Sequence, residues 1–442
     1  MPAEPKIIVL DDDPTGSQTV HSCLLLLQWD VATLVSALQD ASPIVFILTN
    51  TRALPAERAR AVTEEVCQNL NQAIAQANIH DFLIVSRSDS TLRGHYPIET
   101  DVIAAAIGPF DAHFLVPAFF EGGRITRDST HYVVQAGVPV PAHETEFAQD
   151  SVFGYHHSYL PDYVAEKTQG RISADAVERL TLSDVRQGCG DRLMALANNT
   201  CVAVDGEQQS DLDQFAQAVL NAARQGKRFL FRSAASLLTA LAALPPQPVA
   251  PTAMAQYRRK GQPGAVLVGS HVQKTTQQLQ VLLTAPDTVA IEVDIQQLLS
   301  PDAATHKDLL DAVLAKAYDA HGQSKTPVIY TSRKELTFDN AATRLAFGQQ
   351  VSTLLMDILR GLPQTLGFLI SKGGITSNDT LSDGLALVQA RLLGQIVPGC
   401  SVVITSSDHP QFPALPVVLF PGNVGDESAL KLAYQRLSGI GD

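Results

Sequence analysis

Cysteine and tryptophan are scarce, and long apolar runs are missing. The five cysteines among 442 residues (Cys23, Cys67, Cys189, Cys201 and Cys400) are scattered, odd in number and never in a C-x-x-C pair. That pattern excludes a disulfide framework and a closely spaced structural zinc site, and it suits reduced thiols. No stretch reaches the ~18 apolar residues of a membrane span, and residues 1–6 hold no signal-peptide h-region. A cytoplasmic location with no membrane partner is therefore expected. Basic blocks are missing too: 32 Lys and Arg stand against 45 Asp and Glu, for a formal net charge of -13. A nucleic-acid partner needs clustered cations and is not expected. A small anionic ligand, which needs only a few local donors, stays open.

Several catalytic signatures are absent as well. There is no G-x-S-x-G elbow, no H-E-x-x-H, no Walker G-x-x-x-x-G-K-[ST], and no G-x-G-x-x-G after a strand. His156 and His157 lack metal-ligand spacing.

What is present is an alternation of short apolar runs with longer amphipathic ones. Runs at 7–10, 44–49, 82–85 and 113–116 read as strands, with helical patterns at 55–77 and 98–107 between them. This alternation predicts an α/β fold with mainly parallel sheets flanked by helices. Residues 121–170 read as a long loop region. The rhythm returns with a strand at 201–204, a helix at 212–224 and a strand at 228–231. Five prolines and the triplet Arg258-Arg259-Lys260 mark 245–264 as a linker between a first domain, 1–244, and a second, 265–442. The second domain shows strands at 265–268, 289–293, 328–330, 368–370, 402–404 and 417–420. Its helical patterns cover 274–283, 340–360, 379–393 and 427–437.

In open parallel sheets, ligands bind beyond the carboxyl ends of the strands. Polar clusters stand at those places. "IIVLDDDPTG" delivers Asp12 and Asp13 to the end of the first strand. A carboxylate there can take a proton from a hydroxyl or hold a metal, although Asp-Pro also suits a solvated turn. Arg52 follows the second strand. "VSRSDSTLRGHYPIE" places Arg87, Asp89, Ser90, Thr91 and Arg93 after the next; guanidinium can grip a carboxylate while Asp and Ser take hydroxyls. In the second half, Ser270 follows one strand. Lys372, Gly373, Gly374 and Thr376 follow another, and Gly422, Asn423 and Gly425 a third. Paired glycines at strand-to-helix junctions let backbone N–H groups approach phosphate oxygens, though such turns also serve purely as caps.

As a set, these segments resemble the four-carbon acid sugar kinase family, over nearly the whole chain. The D-D-x-T-G signature is Asp12-Asp13-Pro14-Thr15-Gly16. D-S-T-L-R-G is intact from Asp89 to Gly94. "VPAFFEGGRIT" with Arg124 and "HETEFAQD" look like two further family segments. The resemblance implies an acid-sugar-binding first domain, an ATP-binding second domain and an active site in the cleft between them. It implies substrate contacts from Arg52, Asp89, Ser90, Thr91, Arg93 and Arg124. It implies ATP contacts from Ser270, Lys372, Gly373, Gly374, Ile375, Thr376, Gly422, Asn423 and Gly425, with Mg²⁺ on the phosphates. The sequence departs from the pattern where Ile375 stands for the acid of G-G-[DE]-T and Phe420 for the lysine of K-x-G-x-F-G. The expected function is ATP-dependent phosphorylation of a threonate, erythronate or oxo-tetronate. Asp12 is preferred over Asp13 as the catalytic base, and a homodimer is left open. A different phosphoryl donor, a phosphatase and a catalytically silent sugar-acid-binding regulator are the alternatives.

Overall fold

The structure, a computed structural model, describes residues 5–300, 302–333, 336–338 and 340–441. Residues 1–4, part of the stretch read for an h-region, lie outside the described residues. The chain separates into two units, which meet in sequence at Pro245 and Pro246.

Among the described residues the first unit carries eleven strands: β1 (Lys6–Asp11), β2 (Leu24–Leu26), β3 (Ile44–Leu48), β4 (Phe82–Arg87), β5 (Ala112–Val116), β6 (Arg124–Arg127), β7 (Thr130–Gln135), β8 (Val138–Pro141), β9 (Glu178–Leu180), β10 (Thr200–Val204) and β11 (Phe229–Ser233). Eight of them form a parallel sheet in the order β2-β3-β1-β4-β11-β5-β10-β9. β1, β3 and β5 are buried at every position, as apolar strands covered on both faces must be. On one face, Leu34, Val66, Leu70 and Ile103 from three helices pack on Ile8, Leu10, Val45 and Ile84. On the other face, Phe114 lies 5.2 Å from Phe231 and 5.4 Å from Phe215 of the helix Gln209–Arg224. Residues 121–170, expected as loop, contain the antiparallel sheet β6-β7-β8 and the helix Leu160–Lys167.

Among its described residues the second unit has seven strands: β12 (Ala265–Val268), β13 (Thr288–Val293), β14 (Thr326–Thr331), β15 (Leu369–Lys372), β16 (Gln389–Val397), β17 (Cys400–Ile404) and β18 (Pro416–Phe420). Their order is β13-β14-β12-β15-β18-β17-β16, parallel up to β18 and antiparallel through β17 and β16. β16 corrects the helix expected over 379–393. Only the start of that range is helical, and from Gln389 the side chains alternate, with Ala390, Leu392 and Ile396 inward. Period two, not 3.6, is the pattern that buries those residues.

The proline-rich stretch before β12 also packs within this unit. Met254, fully buried, joins Leu430, Tyr434 and Leu437 of the helix Ala429–Ser438 against the sheet. Truncating it leaves a cavity in that core, so Met254→Ala is expected to cost about 2–4 kcal/mol. Thermal or urea unfolding of the variant checks this; an unchanged midpoint would mean that the stretch contributes nothing to the unit.

Candidate functional site

The register of the first sheet sets up one site. β1 lies between β3 and β4, with Asp11 opposite Leu48 on one side and Arg87 on the other. β4 in turn pairs with β11, placing Ser233 opposite Arg87. The carboxyl ends of four parallel strands therefore open side by side. The side chains that follow them meet around Arg52.

Arg52 donates through Nη2 and Nε to both oxygens of Asp12. Its Nη1 lies 3.4 Å from Asp13 and 3.8 Å from Asp89. Three carboxylates from two strand ends thus share one guanidinium, which they hold charged well beyond its ordinary range although burial opposes this. Asp12 is 1% exposed and also accepts from Ser88 Oγ at 3.0 Å. Asp13 accepts from the Thr15 amide at 2.8 Å and from the Thr15 hydroxyl, and its side chain is 23% exposed. Burial would raise its pKa, but Arg52, Arg87 and Thr15 outweigh burial and hold it below the usual carboxylate range.

Asp89 behaves alike. Burial is overcome by Arg52 and Arg93, and its Oδ2 accepts from Arg93 Nε at 2.8 Å and from Thr91 Oγ1. Arg93 and Arg124 both lie over the ring of Phe147, at 5.2 and 5.7 Å from its centroid. Two cations at one ring make a place where an anion is favoured. Ser90 is buried, and its carbonyl accepts from His131 Nε2 at 2.7 Å.

Five further residues enter this site: Asp11 and Arg87, which stand in the strand-end clusters of the sequence, and Glu99, Arg232 and Ser233, which the sequence does not single out. Asp11 is 1% exposed, and its Oδ2 has no partner among the described residues. Burial pushes its carboxyl up to about 7, against the pull of Arg87. Arg87 lies 3.4 Å from Asp11 and 3.8 Å from Asp12. Glu99 accepts from Thr51 Oγ1 and from Arg232 Nη1, both at 2.6 Å. β11 ends two residues beyond the expected Phe231, so Arg232 and Ser233 lie inside the strand.

The second unit holds a separate cavity of about 390 Å³. Gly269, Ser270, Gly373, Gly374, Ile375 and Thr376 form one wall. Gly373 has φ +123°, and a Cβ there would reach 3.0 Å from Ser270 and 3.1 Å from Thr376, so glycine is required for the close turn. Phe338, Phe347, Val351 and Leu355 add apolar lining. Apolar space beside a polar backbone loop suits a nucleobase next to its phosphates. Asp379 is the one carboxylate among the described lining residues. Together with the Ser270 and Thr376 hydroxyls it offers hard oxygen donors of the kind Mg²⁺ takes alongside phosphates. Among the described residues, no group of three or more His, Cys, Asp and Glu side chains is arranged to hold a metal.

The remaining expected residues lie off that wall. Thr275 Oγ1 lies 3.4 Å from the Gly422 carbonyl and 3.1 Å from Ser270 Oγ, so Gly422 adjoins the wall. Asn423 and Gly425 sit on the loop after β18, which Gln278 holds by the carbonyls of Val424 and Asp426. Lys372 differs most from the expectation of an ATP contact. It is fully buried, its Nζ donates to the carbonyls of Pro421 (2.5 Å) and Gly422 (3.1 Å), and it lies 4.4 Å from the Phe420 ring centroid. Burial draws its ammonium down to about 7. It shapes the glycine loop from beneath.

Comparison with known proteins agrees with this division. A family model described as a sugar-binding N-terminal domain matches residues 7–241, and one described as a nucleotide-binding C-terminal domain matches residues 265–430. A D-erythronate kinase of Heliobacterium modesticaldum is 28% identical over 308 residues, 67% of this chain and 64% of its own length. A D-threonate kinase of Bordetella bronchiseptica is 26% identical over 223 residues, 49% of this chain and 50% of its own. The chain thus matches less than two thirds of the length of either relative. Two crystal structures share the fold. One is a Salmonella typhimurium LT2 protein given a provisional tRNA synthase label (TM-score 0.69, 19% identity, covering 97% of this chain and 98% of that one). The other is a Haemophilus influenzae protein of the DUF1537 group (TM-score 0.65, 16% identity, 97% and 100%).

Asp11 makes the first unit sensitive to pH. Its raised folded value means that the native state holds this proton more tightly than the unfolded chain does. Stability from this group is complete below about pH 4 and is lost as pH rises toward about 7. Asp11→Asn removes the loss. Its melting temperature relative to wild type is expected to be at least ~3 °C more favourable at pH 8 than at pH 4.5. A difference that does not vary with pH would contradict the raised value.

Proposed function

Because the chain belongs to the four-carbon acid sugar kinase family, we propose that it transfers the γ-phosphoryl group of ATP to a hydroxyl of a small sugar acid such as a threonate, erythronate or oxo-tetronate. The observation that carries this reading is the convergence of Asp12, Asp13 and Asp89 on Arg52, beside the paired guanidiniums of Arg93 and Arg124. Cations for a carboxylate and anions for hydroxyls stand together, as a hydroxy acid needs.

In this reading Arg93 and Arg124 draw in the acid's carboxylate. Asp89 accepts a hydroxyl through Oδ1, its Oδ2 being taken by Arg93 and Thr91. The attacking hydroxyl oxygen forms the new bond to the γ-phosphorus, the bond to the β,γ-bridging oxygen breaks, and ADP leaves. The proton of that hydroxyl passes to a carboxylate. Exposure favours Asp13 over Asp12 here: Asp12 is 1% exposed and bonded at both oxygens, whereas Asp13 is partly open and ionised at neutral pH. Asp12 then acts by fixing Arg52.

The cavity of the second unit takes the nucleotide, with its base against the apolar lining. The backbone of Gly373 and Gly374 and the hydroxyls of Ser270 and Thr376 lie at its phosphates. Asp379, which accepts from Ser352 and Asn378, would help hold a magnesium ion, which when bound would neutralise charge on the phosphate oxygens. The same reading makes the protein a cytoplasmic enzyme of sugar-acid metabolism.

An ATP-consumption screen across four-carbon acids, with and without Mg²⁺, tests the assignment. Turnover is expected with at least one tetronate and none without the metal; no turnover with any would end it. Asp13→Asn is expected to lower kcat at least ~100-fold with little change in the acid's KM. Asp12→Asn, which frees Arg52, raises that KM too. Wild-type kcat in Asp13→Asn would return the base role to Asp12.

A further inference from the structure

At the end of β11 two buried polar atoms stand without partners among the described residues: Arg232 Nη2 and Ser233 Oγ. Arg232 is 7% exposed and Ser233 3%. The rest of the Arg232 head is well held, because Nη1 donates to Glu99 at 2.6 Å and to Ser86 Oγ at 2.7 Å. An unmet buried donor beside a satisfied one is costly unless something meets it.

Both residues line a cavity of about 20 Å³, together with Ser88, Asp89, Arg93 and Tyr163. That volume admits one oxygen atom and little more. The backbone beside it is kept bare. Gly94 has φ +124°, and a Cβ there would come within 2.7 Å of Arg232 Nη2, 2.7 Å of Ser88 Oγ and 3.1 Å of Asp12 Oδ2.

The charges around the cavity choose the kind of oxygen. Arg93 is paired with Asp89 and Arg232 with Glu99, while Asp12 stands next to Arg232. Arg232 is already matched by Glu99, with Asp12 beside it, so at its end of the cavity a carboxylate would be repelled and a neutral oxygen is preferred. A hydroxyl satisfies both orphans, accepting from Nη2 and exchanging a hydrogen bond with Ser233.

We propose that Arg232 and Ser233 read one hydroxyl of the sugar acid and thereby select among acids that differ in the presence or configuration of that hydroxyl. This rests on the sugar-acid reading above. A site built to bond a hydroxyl rejects the analogue lacking it far more strongly than an apolar pocket rejects an extra methylene.

The test is calorimetric binding of D- and L-threonate, D- and L-erythronate and their 2-deoxy and 3-deoxy analogues to the full chain. Wild type, Ser233→Ala and Arg232→Lys are compared after thermal unfolding confirms that each is folded. Wild type is expected to bind one tetronate at least ~100-fold more tightly than one of its deoxy analogues. Ser233→Ala should weaken that tetronate about tenfold and Arg232→Lys about tenfold to a hundredfold, with the affinity for the deoxy acid unchanged in both. Equal weakening of hydroxylated and deoxy acids, or no weakening, would overturn the inference and leave the cavity with an ordered water only. If Arg232→Lys does not fold, Ser233→Ala decides alone. Wild type that binds a tetronate and all its deoxy analogues equally also overturns it, with the sugar-acid reading intact. Wild type that binds no tetronate overturns both.

Discussion

The guanidinium of Arg52 is what allows three carboxylates to be buried within a few ångströms of one another. Asp12, Asp13 and Asp89 would repel each other strongly in a dry sheet end. With Arg52 among them, two are held ionised below their usual range by the surrounding cations and hydrogen bonds. Asp11, one residue back along the strand and farther from that charge, is pushed the opposite way by burial. Asp13 and Asp89, beside these cations, thus stay anionic, whereas burial makes Asp11 resist ionisation. The parallel register of β3, β1 and β4 makes this possible, because it delivers residues distant in sequence to one edge.

Much of this was legible in the sequence. Apolar runs such as 7–10 and 44–49 announce strands buried on both faces, and the polar side chains just past them meet at one end of the sheet. The strand-end rule identified Asp12, Asp13, Arg52, Asp89 and Arg93 because each lies within a few positions of an apolar run. It missed Arg232 and Ser233 for a simple reason. β11 continues past its last apolar residue, so two polar side chains lie inside the strand and not after it. Glu99 was hidden on a helix, where an acidic residue normally faces water, and its partner comes from 133 positions away.

The second unit was read less well where two periods overlap. Leucine-rich residues 381–393 satisfy a helical pattern loosely, but antiparallel pairing with β17 imposes alternation from Gln389 onward. The exposed Ile375 stands where the family has an acid, on the wall of the cavity and 75% exposed. The nearby carboxylate is Asp379, one helical turn farther on, which a motif search at fixed positions does not find.

Lys372 and Phe420 are register partners on adjacent strands. The family pattern puts lysine at the position of Phe420, whereas here Lys372 of the neighbouring strand reaches the carbonyls of Pro421 and Gly422 across the aromatic ring. Lysine at both positions would crowd two ammonium groups into a space that already discourages one, and lysine at neither would deprive the carbonyls of Pro421 and Gly422 of this donor.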